Sequence, residues 1–256
     1  GPNDPKISKA LNEIDQVVGE LISFYEKRGI RLIILSEYGI TEVKNVIYPN
    51  RVFRNKGWLS IKDELGLEYL DCGGSKAFTI TDHQVAHIYL QDESPSFRKE
   101  VRNCLESMEG VEKILEGESR KEAGLNHERS GDFVIFSKED AWFAYYHWLD
   151  DSLAPDFARC VDVHRKYGYD PAELFVDPKI SFPTLKVVKK LIGKKLGFRT
   201  NMDLIPLDPA LVRGSHGTRP KNKLDYPIIF GDGIHAKNEY LVPTEVMNSM
   251  LALFES

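Results

Sequence analysis

Arg31-Leu-Ile-Ile-Leu-Ser-Glu-Tyr-Gly39 is the stretch on which the fold turns. Its apolar run reads as a short buried strand. The strand stops abruptly in Ser36-Glu37-Tyr38-Gly39, a polar turn that delivers a carboxylate and a phenol. In open α/β sheets, ligands gather beyond the carboxyl ends of strands, so a carboxylate at that place is a site candidate. Its expected partner lies far along the chain, in Arg213-Gly-Ser-His216-Gly217. Upstream, Leu11, Ile14, Val17, Val18, Leu21, Ile22 and Tyr25 recur close to the helical period, which predicts a helix over 7–27. Asp4-Pro5 opens it and Gly29 closes it. Helix, short loop and strand make half of a βαβ unit, which a strand before residue 1 would complete.

Downstream, 50–56 reads as a short helix ending at Gly57. Residues 58–62, 77–81, 87–90 and 131–136 read as strands, and 97–116 and 186–196 as helices. Residues 150–183 are aperiodic and rich in Asp, Pro and aromatics, the pattern of a functional loop or lid. The expected division is a core over 1–137, a lid-like aromatic and polar insertion over 138–183, and a return to the core over 184–256.

Hydrophobic residues make up 42% of the 256 positions, enough for a packed core, so wholesale disorder is excluded. A net charge of -5 speaks against a binder of nucleic acid duplexes, which would show a basic footprint. The local basic cluster Lys186-Val-Val-Lys-Lys190 with Lys194-Lys195 reads as a solvated helix face. Three widely spaced cysteines without a CxxC pair support neither a disulfide framework nor a cysteine-zinc site, and a reducing, cytoplasmic setting fits them. No apolar run reaches the ~18–20 residues of a membrane span, and the N-terminus has no signal-peptide pattern. Gly1-Pro2 reads as a protease scar or as a start inside a longer protein.

Seven histidines are present. His83 and His87 are four apart, a metal-pair spacing on a helix, but their surroundings read as strand and favour hydrogen-bonded structural roles. His127 suits a turn as well as a site, and His147, in an aromatic run, suits packing. His164-Arg165-Lys166 fits either a surface ion-pair loop or a lid that contacts phosphate oxygens. His216, bracketed by Gly214 and Gly217, sits on a turn suited to presenting a ligand. For His235 the sequence offers no argument.

Taken together, Leu35-Ser-Glu-Tyr-Gly39, Asn50-Arg-Val-Phe-Arg-Asn-Lys-Gly57 and Gly214-Ser-His-Gly217 resemble the latter half of the type I phosphodiesterase/nucleotide pyrophosphatase family of the alkaline phosphatase superfamily. The resemblance implies an α/β fold with a mixed, mostly parallel sheet flanked by helices. It also implies a metal-dependent hydrolase of phosphodiesters or pyrophosphates acting on a phosphorylated small molecule. Two divalent ions are implied, zinc first, with manganese or magnesium suiting a set richer in oxygen ligands. By position Glu37 matches an aspartate ligand, Tyr38 a histidine ligand and His216 the C-terminal histidine ligand. His164, Arg165 and Lys166 are the substrate-contacting candidates, and His83, His87 or His164 could make up for the weaker donor at Tyr38. The family's nucleophile and first ligands have no counterpart here. The chain is therefore expected to be a fragment, inactive alone, whose partner is a missing N-terminal half. The competing expectation is a non-catalytic domain that binds a phosphorylated ligand or protein.

Overall fold

The structure, a computed structural model, describes residues 1–162, 164–233 and 240–254. It divides into two compact units. One holds Gly1 and Thr41–Arg219, the other Pro2–Ile40 and Pro220–Ser256.

In the larger unit, β2 (Thr41–Glu42) and β3 (Asn45–Ile47) lead to α2 (Pro49–Asn55). Two hairpins follow, β4 (Ser60–Glu64) with β5 (Leu67–Asp71), and β6 (Ala77–Asp82) with β7 (Val85–Leu90). Then come α3 (Pro95–Ser107), β8 (Val111–Leu115), α4 (Gly117–Glu122), β9 (Phe133–Ser137) and β10 (Ala141–Phe143). Irregular chain with short 3-10 turns runs on to α5 (Pro183–Lys195) and β11 (Gly214–Ser215).

The main sheet has the order β6-β7-β9-β8. Alternation along β7 sends Ala86, Ile88 and Leu90 inward, and α2 and α3 add Phe53, Val101 and Leu105 to the same core. Asn50 ties α2 to this sheet from a fully buried position. Its amide donates to the carbonyls of Thr79 (2.9 Å) and Tyr145 (3.1 Å) and accepts from the Thr79 N–H (2.8 Å). That accounts for the asparagine that opens the second motif.

The mix of helices and strands is the α/β class expected. The pairings differ from the expectation of a mostly parallel sheet, since among the described strands only β10 with β3 is parallel. For β4-β5 and β6-β7 the connection itself is the reason, because a tight turn can join only antiparallel neighbours; the other antiparallel pairs join strands distant in sequence. Residues 108–116, expected to extend a helix, instead turn at Glu109-Gly110 and form β8. There Ile114 and Leu115 pair with Ile135 and Val134, so long-range pairing overrides a locally helical pattern.

The aromatic part of the stretch expected as a lid is core. Residues 141–148 are all buried, and Trp142, Tyr145, Tyr146 and Trp148 pack with Val43, Phe157, Leu207 and Val212 in a second cluster. Side chains of this size contribute roughly 1.5–3 kcal/mol or more each on full burial, which suits packing rather than opening and closing.

The smaller unit contains α1 (Lys6–Glu26), β1 (Ile33–Leu35), β12 (Ile229–Gly231) and α6 (Pro243–Leu251). Pro5 stands at the N-cap of α1, and just before it the Asp4 carboxylate accepts the Lys6 N–H at 2.9 Å. The strand β1, expected to be buried, pairs antiparallel with β12 and leaves Leu35 half exposed. Leu253 is the one buried hydrophobic residue of this unit among those described.

Candidate functional site

The tip of the β6-β7 hairpin carries Asp82-His83-Gln84. His83 takes a left-handed backbone conformation (φ 53°) at this turn. Its Nδ1 donates to the Asp82 carboxylate at 2.6 Å. That bond is the main reason the Asp82 carboxyl is held below its usual range. Two further rings close on His83. Tyr169 stacks at 4.6 Å between centroids, and His216 lies tilted at 4.0 Å.

Backbone pairing brings both rings there. Thr81 N–H donates to the Tyr167 carbonyl (3.3 Å), and Tyr169 N–H donates to Thr81 (2.9 Å), laying 167–169 along β6. Gly168 between them has φ 126°, and a Cβ there would stand 2.0 Å from the Thr81 carbonyl oxygen. Only glycine allows that approach. On the other side, Gln84 N–H donates to the His216 carbonyl at 3.0 Å.

The fully buried Gln84 side chain donates to the carbonyls of Glu139 (2.9 Å) and Ala141 (3.1 Å) and accepts from Thr218 N–H (3.3 Å). One amide thus clamps the 216–218 turn to the 139–141 segment. Gly217, with φ 122°, lies against Val85 and Gln84. Half-buried His216 has its imidazole pushed below the usual value, first by burial and then by the neighbouring His83. An imidazole oriented by a carboxylate and set against a second imidazole can donate hydrogen bonds to an oxyanion or pass a proton.

Of the residues singled out in the sequence, His216 meets His83. Glu37 and Tyr38 belong to the smaller unit, at an exposed turn. Among the described residues no three His, Cys, Asp or Glu side chains are placed to hold one metal ion. Against His216 stands the His83 imidazole, itself bonded to the Asp82 carboxylate.

The three substrate-contacting candidates part company. His164 is exposed, and Arg165 is ion-paired with Asp156 (2.7 Å) and set over the Phe157 ring. Lys166 points inward, its ammonium fully buried between Asp170 (3.0 Å) and Glu173 (2.7 Å). In this position its charge is balanced by carboxylates inside the fold.

His87 accepts the Gly131 N–H (3.1 Å) and His127 the Arg129 N–H (3.1 Å), structural roles in both cases. His147 is a core residue whose Nε2 donates to the Glu68 carbonyl at 3.0 Å. His235 lies outside the described residues. Gln84 and Tyr169 were not legible as site residues. The one local signal was Asp-His-Gln at a hairpin turn.

A cleft of about 540 Å³ elsewhere on the larger unit is lined by Asp156, Arg159, Lys190 and Arg199 among others. Its cations are already paired, Lys190 with Asp203 (2.6 Å) and Arg199 with Asp156 (3.2 Å).

Comparison with curated proteins finds no match. Among solved structures, the chain is similar to phosphonoacetate hydrolase from Sinorhizobium meliloti 1021 in complex with phosphonoformate. That similarity is at 20% identity and a TM-score of 0.42, over 60% of this chain and 37% of that one. It is also similar to murine ectonucleotide pyrophosphatase/phosphodiesterase 5, at 18% identity and a TM-score of 0.40, over 59% of this chain and 36% of that one. The alignments therefore span little more than a third of the solved chains. The description of the type I phosphodiesterase/nucleotide pyrophosphatase family matches residues 1–170, which include the Glu37 turn, Asn50 and the Asp82-His83 tip but not His216. On that match the chain belongs to the type I phosphodiesterase/nucleotide pyrophosphatase family, the family its motifs led one to expect.

Proposed function

We propose that this chain is part of a phosphoric ester hydrolase acting on a phosphodiester or pyrophosphate of a small molecule. The family match over residues 1–170 carries this reading. The geometry adds an imidazole pair, His83 and His216, with Asp82 fixing the orientation of one ring. In this reading the rings bind and orient a phosphoryl oxygen, and Tyr169 limits the movement of His83 by stacking on it.

The nucleophile is supplied by a further part of the same hydrolase. The uncovered stripe of α1, with Leu11, Ile14, Val17 and Leu21 all exposed, fits a surface on which such a part packs. Divalent ions, zinc or else manganese or magnesium, belong to the proposal as groups whose ligand sets need residues beyond those gathered at His216. No step is assigned to them.

The expected outcome is that the 256-residue chain alone gives no turnover of bis(p-nitrophenyl) phosphate. A longer form that supplies the nucleophile turns it over and loses at least about 100-fold on His216→Ala. Metal-dependent turnover by the short chain, abolished by His216→Ala, would overturn the first half of this reading.

The glutamate and tyrosine at positions 37 and 38 favour a second reading, a domain that binds a phosphorylated ligand without hydrolysing it. Calorimetric binding of a nucleotide by a longer form that shows no turnover decides for that one. The setting proposed is the cytosol, on the cysteine pattern, and fractionation of tagged protein into a secreted pool would refute it.

A further inference from the structure

Helix α5 has two unlike faces. Pro183, Lys186, Val187, Lys190 and Gly193 are half buried, the spacing of a single helical face turned to the body. Lys186 and Lys190 are held there by Asp203, at 3.0 and 2.6 Å, so this side is anchored by ion pairs rather than by a deep apolar seam. The opposite side is apolar and open. Leu185, Val188, Ile192 and Leu196 follow one another at three- and four-residue steps and are 66%, 45%, 54% and 70% exposed. Phe182 and Phe198 stand uncovered just before and after. By the helical period Lys189 and Lys195 fall on the two flanks of this stripe, and with Lys194 they make no ion pair among the described residues. From Pro183 to Thr200 there is no acidic residue, in a chain whose net charge is -5.

We propose that α5 is a docking element for an anionic lipid surface, on which it lies flat with its apolar stripe among the acyl chains and its lysines at the headgroups. A convex stripe bordered by cations on both sides matches a planar, negatively charged, apolar-cored partner. The lysine stems reach outward while their methylenes stay against the apolar layer. Pairing of α5 with a second copy would set lysine against lysine, so charge disfavours that occupant. The element lies on the surface and does not span. No helix among the described residues is long and apolar enough to cross a membrane.

The test is co-sedimentation of the whole chain with phosphatidylcholine vesicles, with and without phosphatidylserine. Binding is expected only where phosphatidylserine is present, and it should weaken steeply with added salt. Lys189→Gln with Lys195→Gln should weaken it about 25-fold, from a roughly fivefold contribution per surface lysine. Ile192→Asp should abolish it, while Lys113→Gln on β8 leaves it unchanged. All four positions are exposed, and circular dichroism will verify that each variant keeps its fold. The proposal is overturned by no binding to phosphatidylserine vesicles, by equal binding to phosphatidylcholine alone, or by indifference to the lysine changes. Capture of polyglutamate without vesicle binding would assign the face to an acidic protein, and a dimer lost on Ile192→Asp would assign it to a second copy. Either result refutes the lipid assignment.

Discussion

At the residue scale, neighbouring side chains of like charge have unlike fates. Arg165 is part exposed and bonded to Asp156, whereas Lys166 sits one position on with its charge sealed against Asp170 and Glu173. Surface ion pairs contribute little, but a buried carboxylate stripped of its cation is costly. Lys166→Met is therefore expected to cost ~3–5 kcal/mol in a urea titration, and Arg165→Ala less than ~1 kcal/mol. Nothing in the local sequence His164-Arg-Lys-Tyr167 distinguishes the two, because the difference comes from residues that fold over Lys166.

His147 makes the same point through pH. Burial is the largest cause that lowers its imidazole from 6.5 to about 4 in the folded chain. The unfolded chain therefore binds a proton that the folded chain refuses. The stability tied to the neutral ring is complete above 6.5 and is lost as pH falls toward 4, by ~3 kcal/mol in total. Urea midpoints measured across that range should fall more steeply for the natural chain than for His147→Gln, by about one proton. Equal slopes would show that the ring is not held neutral.

At the element scale, the periodic patterns were legible and their partners were not. The helices over 6–26, 49–55 and 183–195 lie close to where apolar spacing, Pro and Gly place them. The hairpin over 77–90 follows from two alternating runs joined by Asp82-His83-Gln84. Residues 108–116 mislead because their apolar spacing suits a helix as well as it suits β8. Only the ladder with β9 decides between the two. The contact between 167–169 and β6 was equally hidden, since it depends on a glycine with no pattern around it. Gly168→Ala meets both a left-handed backbone and the Thr81 carbonyl. It is expected to cost at least ~2 kcal/mol of stability and to disturb the packing of Tyr169 on His83. A thermal melt reads the first effect. The histidine proton resonances read the second, and an unchanged His83 shift would argue against the stacking role.

For the whole molecule, the uneven burial of the two units has a consequence for dynamics. The larger unit holds two apolar clusters, while the smaller has Leu253 as its one buried hydrophobic among the described residues. Local stability follows the density of buried contacts. Amide hydrogens of α1 and β1 are expected to exchange before those of β6, β7 and β9, by at least about 100-fold under native conditions, about 3 kcal/mol of local stability. Exchange of both sets at one rate would mean that the units unfold together.

By itself the sequence determined the α/β class, the main helices, the β6-β7 hairpin and the family, through the Glu37 turn, the Asn50 helix and the Gly-Ser-His-Gly turn. These are local matters, set by periodicity, capping and short motifs. Tertiary structure alone decided that His216 stands against His83, that Lys166 is withdrawn into the core and that the aromatic run at 141–148 is packing. Each of these depends on which distant segments meet. Chain contacts made across tens of residues leave no period and no spacing for a sequence to display.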